Sequence, residues 1–436
     1  MQLIPAVKGL YFYLNKMAAL LFKKLENIAK LAQSSSRKLA LLSSDAKNMV
    51  LEDMACALLT NQAAILKANK KDISAASKAK KNRAFIDRLS LDEKRIKQMA
   101  SQLLEVARLK DPVGQTISAW DVPSGLKIEK VRTPIGVIAI IYESRPNVTS
   151  DCIGLCFKSG NSVILRGGSE SLNSNLAIFN ILESVVLKAG LPKGTINLID
   201  TTERLAIDLL LKMNNYIDLV MPRGGEELIK KVIKVSRIPV IKHYKGICHV
   251  YVDEDADLNM AQKICFNAKV QRPGVCNAME SMLVHRDVAA RFLPGMLKEF
   301  KDAGVEIRGC AVTRKIAKWV KRATEKDYRT EYLDLILSVK VVEDIDQAIA
   351  HINDYGSHHS DSIVTDNQEQ AIKFLKQVDS ACVYVNASTR FTDGNQFGMG
   401  AEIGISTDKL HARGPMGLAE LTTYKYLVTG DGQVRV

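Results

Sequence analysis

After Pro134 the chain changes rhythm. Short unbroken apolar runs, VIAIIY (137–142), SVILR (162–166), TINLI (195–199), IDLVM (217–221) and IPVIK (238–242), alternate with longer amphipathic segments. A strand with one wet face alternates apolar and polar residues, whereas an unbroken apolar run between helical segments is how a parallel sheet covered on both faces reads. The pattern predicts an α/β domain of nucleotide-binding type, with ligands beyond the carboxyl ends of the strands. Those ends read YESRPN, LRGGSE and MPRGGEE. A second series, SMLVH, DLILSVKVV, DSIVT and ACVYVN, is separated by helical stretches such as DVAARFLPGMLKEFKDAG and predicts a second α/β lobe. Cys276 falls between the two series, where a cleft residue is expected.

Ahead of the first sheet, residues 18 to 110 carry apolar residues at spacings of three and four, the mark of helices with one buried stripe. DPVGQTISAWDVPSGLKIEKVRTP then reads as an extended arm or hairpin. A chain of 436 residues is too long for one ordinary core and predicts two or three lobes sharing a cleft. Hydrophobic residues at 47% and charged residues at 25% exclude a disordered or fibrous protein. The net charge of +13 is concentrated in residues 61 to 110, which hold 13 Lys or Arg against 5 Asp or Glu. With Phe85 the one aromatic there, the stretch reads as a solvated helical surface and not a nucleic-acid site, although its field would draw in an anionic substrate.

The eight cysteines include no C-x-x-C pair and no zinc-finger spacing, so no metal site or redox dithiol is expected, and a reduced, cytoplasmic setting fits. The opening MQLIPAVKGLYFYLNKMAALLFKKL lacks an early basic charge and a small-x-small cleavage pattern, which argues against a signal peptide. No segment reaches the ~20 uninterrupted apolar residues of a spanning helix. Met17 is a second candidate start, which would make residues 1 to 16 a leader.

No G-x-G-x-x-G occurs. RGGSES (166–171) and PRGGEEL (222–228) instead end a strand with paired glycines and begin a helix, where backbone amides can hold a pyrophosphate; a plain turn is the other reading. Arg166, at a strand end, is the better candidate for a ribose phosphate than Lys158, whose expected partner is solvent. In VQRPGVCNAMES, Cys276 follows a Pro-Gly turn that exposes amides, with Lys269 and Arg272 near in sequence, a setting that favours a thiolate. An inert buried thiol remains open for Cys276, and is the reading for Cys248 and Cys265. Asn147, in YESRPNVTSD, is either a donor to a developing oxyanion or the cap of a helix beginning near Thr149.

RTPIGVIAIIYESRPN, GNSVILRGGSES, LPKGTINLID, VDEDADL, a cysteine some twenty residues on, EYLDLILSVKVV and FGMGAEIGIST occur in the order seen in the aldehyde dehydrogenase superfamily, which the chain resembles from about residue 20 to its end. YESRPNVT, LRGGSES, MPRGGEELI and GISTDKLHARGPMGLAELTTYKY resemble most the branch that reduces gamma-glutamyl phosphate. The resemblance implies a Rossmann-type cofactor domain, an α/β catalytic domain and a small β oligomerisation arm. The corresponding boundaries are residues 17–250, interrupted by an arm near 115–133, then 251–410, then a C-terminal oligomerisation segment over 411–436.

It further implies that Cys276 is the catalytic thiol and Asn147 the oxyanion-hole asparagine. NADPH would be held by Arg166, Gly167, Ser169 and Glu170, by Gly224 and Gly225 at the pyrophosphate, and by Glu331 at the nicotinamide ribose. The implied reaction is NADPH-dependent reduction of L-glutamyl 5-phosphate through a cysteine thioester, in proline biosynthesis. Where hydrolytic relatives carry a water-activating glutamate, this chain has His243, which favours a reductase over the alternative, a hydrolytic aldehyde dehydrogenase. His243 itself is a proton donor or a structural residue. The arm and the tail TTYKYLVTGDGQVRV look like exchanged strands of a homo-oligomer, and a glutamate kinase is a candidate partner. Neither nucleic acid nor membrane is an expected partner.

Overall fold

The runs that read as inner strands are buried along their whole length: every residue of Val137–Tyr142 and of Ser162–Arg166 is shielded from solvent. A computed structural model describes residues 5–242 and 245–435 of the chain. The described residues fall into two compact units, one drawn from within 1–241, 399–404 and 416–436, the other from within 242–398 and 405–415.

In the first unit, helices α1 (Pro5–Leu39), α2 (Ser44–Thr60), α3 (Gln62–Lys78), α4 (Arg83–Leu89) and α5 (Glu93–Arg108) precede the sheets. Ser43, Asn82 and Asp92 cap α2, α4 and α5 by accepting amides of the first turn, so these helices begin where a short polar side chain satisfies orphan donors. None of the described helices is by itself long and apolar enough to cross a membrane.

The arm forms β1 (Thr116–Asp121) and β2 (Lys127–Pro134), and the tail forms β16 (Thr422–Thr429). The tail, which with the arm reads from sequence as a candidate for strand exchange, pairs antiparallel with β2 of its own chain, from Thr422 opposite Pro134 to Thr429 opposite Lys127. The main sheet of the unit holds β3 (Val137–Tyr142), β4 (Ser162–Arg166), β5 (Ile196–Leu198) and β6 (Leu219–Arg223), all parallel, in the order β5-β4-β3-β6. Its connecting helices are α6 (Asn147–Lys158), α7 (Leu172–Lys188) and α8 (Arg204–Leu210), and α9 (Glu226–Val235) follows β6. IPVIK, expected as a fifth strand, makes only an isolated bridge between Val240 and Val220. Pro239 has no N–H to extend the ladder, and its carbonyl serves only to accept from Val220.

The second unit carries β7 (Cys248–Val252), α10 (Leu258–Val270), β8 (Met279–His285), α11 (Arg286–Asp302), β9 (Glu306–Gly309), α12 (Ala311–Ile316), β10 (Lys321–Arg322), α13 (Glu325–Tyr328), β11 (Ile336–Val342), α14 (Ile345–Tyr355), β12 (Ser360–Val364), α15 (Gln368–Gln377), β13 (Cys382–Val385), β14 (Ile405–Ser406) and β15 (Gly414–Pro415). Seven strands form one parallel sheet in the order β10-β9-β11-β8-β7-β12-β13. Both faces are covered, as the period of two requires. Val250 and Val252 face a core with Phe292 and Phe300, while the intervening Tyr251 faces Leu283, Ile349 and Phe374.

Candidate active site

In the first unit, three carboxyl strand ends are stitched together. Asn147 is the first residue of α6, with Pro146 as its cap, so the expected capping role does not hold. Its amide nitrogen donates to Asp151 Oδ2, one turn on, at 2.9 Å. An amide NH2 has two hydrogens, and this contact uses one while setting which end of the group is the donor. Burial pushes the Asp151 carboxyl up to about 7, against the pull of hydrogen bonds from Asn147 and Ser150 and of the Arg223 charge.

At the end of β4, Arg166 is 7% exposed and donates to the carbonyls of Gly167, at 2.9 Å, and Thr202, at 3.3 Å. Burial lowers its pKa. Gly167 is demanded by packing, because a Cβ there would lie 2.1 Å from the Asn175 amide nitrogen. Ser169 Oγ donates to Glu170 Oε2 at 3.3 Å, and Glu170 Oε1 accepts from the Ser144 backbone N–H at 3.1 Å and from its hydroxyl. Burial raises the Glu170 pKa, but hydrogen bonds from Ser144, from its own backbone amide and from Ser169 together outweigh it and leave the carboxyl below its ordinary value. The amides of Asn173 and Ser174, in the first turn of α7, already donate to the Asp72 carboxylate at 3.3 and 2.8 Å. At the end of β6, Gly224 and Gly225 are exposed, and the Gly225 amide donates to Glu143 Oε2 at 2.9 Å.

Lys158, expected to face solvent, is 1% exposed and donates to the Ala107 carbonyl at 2.8 Å and to Asn48. The position lies on α6, a helix buried on nearly every side, which a period-based reading of CIGLCFKSG cannot reveal.

In the second unit, Cys276 is partly exposed, on the turn between α10 and β8. Cys248, at the start of β7, donates its thiol to the Cys276 carbonyl at 3.2 Å. The expectation of an inert core thiol holds for Cys265, but Cys248 braces the main chain of the nucleophile candidate. Its thiol also lies 3.8 Å from His359 Nδ1, which is 2.8 Å from the Ser360 hydroxyl. Lys269, close to Cys276 in sequence, is fully buried and has Glu280 as its ion-pair partner at 2.7 Å.

Glu280 Oε1 in turn accepts from the Leu333 amide at 3.1 Å, and Glu331, two residues earlier, accepts from the Gly246 amide at 2.8 Å. These residues gather at the amino ends of β7, β8 and β11, opposite to where ligands of open α/β sheets usually sit. His243 lies outside the described residues. No metal site is expected from the spacing; the side chains of Glu254, His285 and Asp287 do approach within 4.8 Å of one another, with His285 Nδ1 engaged in accepting the Asp287 amide.

Sequence reasoning missed Cys248, Gly246, Glu280 and Asp151. Glu280 and Asp151 lie four residues after Cys276 and Asn147, a helical interval in one case and a turn entering a strand in the other, and nothing in the sequence marks either as a partner.

The aldehyde dehydrogenase family model matches residues 29–308 and 308–425. A gamma-glutamyl phosphate reductase of Caldanaerobacter subterraneus is 59% identical over 407 residues, covering 93% of this chain and 98% of its own. The chain belongs to the gamma-glutamyl phosphate reductase branch of the aldehyde dehydrogenase family. The solved gamma-glutamyl phosphate reductase of Thermotoga maritima superposes on this member of the family with a TM-score of 0.93 at 47% identity, covering 94% of this chain and 100% of that one. The likeness reaches the glyceraldehyde-3-phosphate dehydrogenase of Methanocaldococcus jannaschii, solved in complex with NADP, with a TM-score of 0.66 over 94% of this chain and 95% of that one. At 15% identity that last match speaks for the fold alone.

Proposed function

We propose that this chain reduces L-glutamyl 5-phosphate to L-glutamate 5-semialdehyde with release of phosphate, using NADPH, as a step toward proline. The observation that carries the reading is the partly exposed Cys276 in a chain 59% identical to a named gamma-glutamyl phosphate reductase. Relatives at this identity bear the reductase name, so the hydrolytic alternative is not favoured.

The first unit is the cofactor domain and the second the catalytic domain in this reading. The groups at hand fit a dinucleotide by their chemistry: an amide at the start of α9 for the pyrophosphate, Arg166 at a strand end, and the Glu331 carboxylate as acceptor for ribose hydroxyls. Gly167, Ser169, Glu170 and Gly224 complete the turns. Glu143 has to release the Gly225 amide if a pyrophosphate is to take it. When bound, NADPH supplies the hydride.

The Cys276 thiolate attacks the acyl carbon, the bond to phosphate oxygen breaks, and phosphate leaves an acyl thioester on the sulfur. The Cys276 amide and the second hydrogen of the Asn147 amide steady the oxyanion. After reduction of the thioester carbonyl, the carbon–sulfur bond breaks to free the aldehyde and regenerate the thiolate. Phosphate is a good leaving group, so no strong general acid is required of the chain.

The eight cysteines and their unpaired state fit a reduced, cytoplasmic setting. We include in the proposal a homo-oligomer through the three-stranded arm and tail, and association with a glutamate kinase. The test is phosphate-dependent reduction of NADP by glutamate 5-semialdehyde, run in reverse because the acyl phosphate is unstable. Cys276→Ala is expected to abolish it with the circular dichroism spectrum unchanged; substantial turnover in that variant would refute the assignment.

A further inference from the structure

The loop after β13 is bolted to the residue that follows Cys276. Thr389 Oγ1 donates to the Asn277 carbonyl at 2.7 Å, and the Asn277 amide donates back to the carbonyls of Thr392, at 2.8 Å, and Arg390, at 3.4 Å. The Thr392 hydroxyl is held between Ser360 and Tyr384, each at 2.7 Å. A loop tied at both of its flanks holds its charged side chains in fixed positions, which is the condition for a specific subsite.

That loop presents Arg390, Phe391 and Asp393 to a concave pocket of about 300 Å3, completed by Asn267, Gln271 and Gln396. Arg390 is half-buried, with its Nε donating to Gln271 Oε1 at 2.9 Å. Burial and the neighbouring Arg272 lower its pKa, while Cys276 and Asp393 act the other way, so all three lie within electrostatic reach of this guanidinium. A guanidinium remains charged in such surroundings.

The mixture of charges selects among ligands. A phosphate dianion would be drawn by Arg390 and the neighbouring Arg272 but repelled by Asp393. A zwitterion is matched by Arg390 and Asp393 together, its carboxylate on the planar guanidinium fork and its ammonium on the acid. We propose that Arg390 and Asp393 form the subsite for the amino-acid head group of the substrate, Arg390 taking the α-carboxylate and Asp393 the α-ammonium, with Phe391 beside the methylenes. The proposal rests on the reaction proposed above and adds the residues that make it specific for an amino acid.

The test uses the reverse reaction with three aldehydes: glutamate 5-semialdehyde, 4-aminobutanal, which lacks the carboxylate, and 5-oxopentanoate, which lacks the ammonium. Each variant is compared with wild type on the same aldehyde, so cyclisation of the amino aldehydes cancels. Arg390→Gln is expected to lower kcat/KM for the semialdehyde roughly 30-fold or more and that for 4-aminobutanal by less than about threefold, with KM for phosphate unchanged. Asp393→Asn is expected to reduce the preference for the semialdehyde over 5-oxopentanoate about tenfold.

A rise in KM for phosphate with these preferences intact would assign Arg390 to the leaving group and overturn the proposal, as would equal losses on all three aldehydes. If Arg390→Gln does not fold, Asp393→Asn and Arg390→Lys carry the same comparison. A wild-type protein that fails to reduce NADP with semialdehyde and phosphate would sink the underlying reaction instead, an outcome separate from any of these.

Discussion

Gly246 lies against the main chain of Cys276: a Cβ at residue 246 would stand 1.8 Å from the Cys276 carbonyl oxygen and 2.6 Å from its Cα. The same residue gives its amide to Glu331 at 2.8 Å. One glycine therefore spaces the nucleophile candidate and orients the carboxylate assigned to the nicotinamide ribose.

Gly246→Ala forces backbone apart, since no side-chain end is there to yield. The expected result is a fall in kcat of about 100-fold or more, because misplacing a reacting group by an ångström is costly, together with a raised KM for NADPH. Steady-state kinetics in both substrates check it; wild-type parameters in a folded variant would remove Gly246 from the site.

Asp151 makes a pH prediction. Its folded pKa, about 7, lies above that of an unfolded aspartate, so the stability contributed by the neutral buried carboxyl is fully present below about pH 4 and lost as pH rises through 7. Asp151→Asn keeps an acceptor for the Asn147 amide but cannot ionise. Relative to the variant, wild type is expected to lose on the order of 4 kcal/mol between pH 4 and pH 8, measured by urea unfolding at a series of pH values. A difference that stays constant over that range would show that Asp151 does not titrate as described.

The buried Lys269–Glu280 pair predicts non-additivity. Glu280→Ala strands a buried ammonium and also frees the Leu333 amide, at an expected cost of about 3–5 kcal/mol. Lys269→Met combined with Glu280→Leu is expected to cost less than Glu280→Ala alone, since no charge is left behind. Equilibrium unfolding of the three variants decides it. Glu280→Ala should also raise KM for NADPH, through the segment that carries Glu331.

For Lys158 the expected effect is on stability and not on the cofactor. Lys158→Ala removes the donor to the buried Ala107 carbonyl and to Asn48 and is expected to cost about 2–4 kcal/mol, with KM for NADPH within about twofold of wild type. Thermal melting and NADPH titration of the rate measure the two separately.

Much of the fold was legible in local pattern. VIAIIY and SVILR became β3 and β4 because an apolar run of five or six residues can bury itself on both faces only inside a covered sheet. IPVIK carried the same composition and failed as a strand, since Pro239 withholds a donor that the ladder needs. Cys276 stood out by its Pro-Gly turn and, with Asn147, by its match to a family.

The chain's own order of residues thus determined the α/β class and the two series of strands and singled out Cys276 as the candidate thiol, because these depend on periodicity and on short motifs. Only the tertiary structure decided that Lys269 pairs with Glu280, that Cys248 braces residue 276 from 28 positions away, and that Asn147 is oriented by Asp151. Pairings of this kind are fixed by which strand edges the fold brings together and by which charges it deprives of water. A side chain's partner across such a gap leaves no trace in the spacing along the chain.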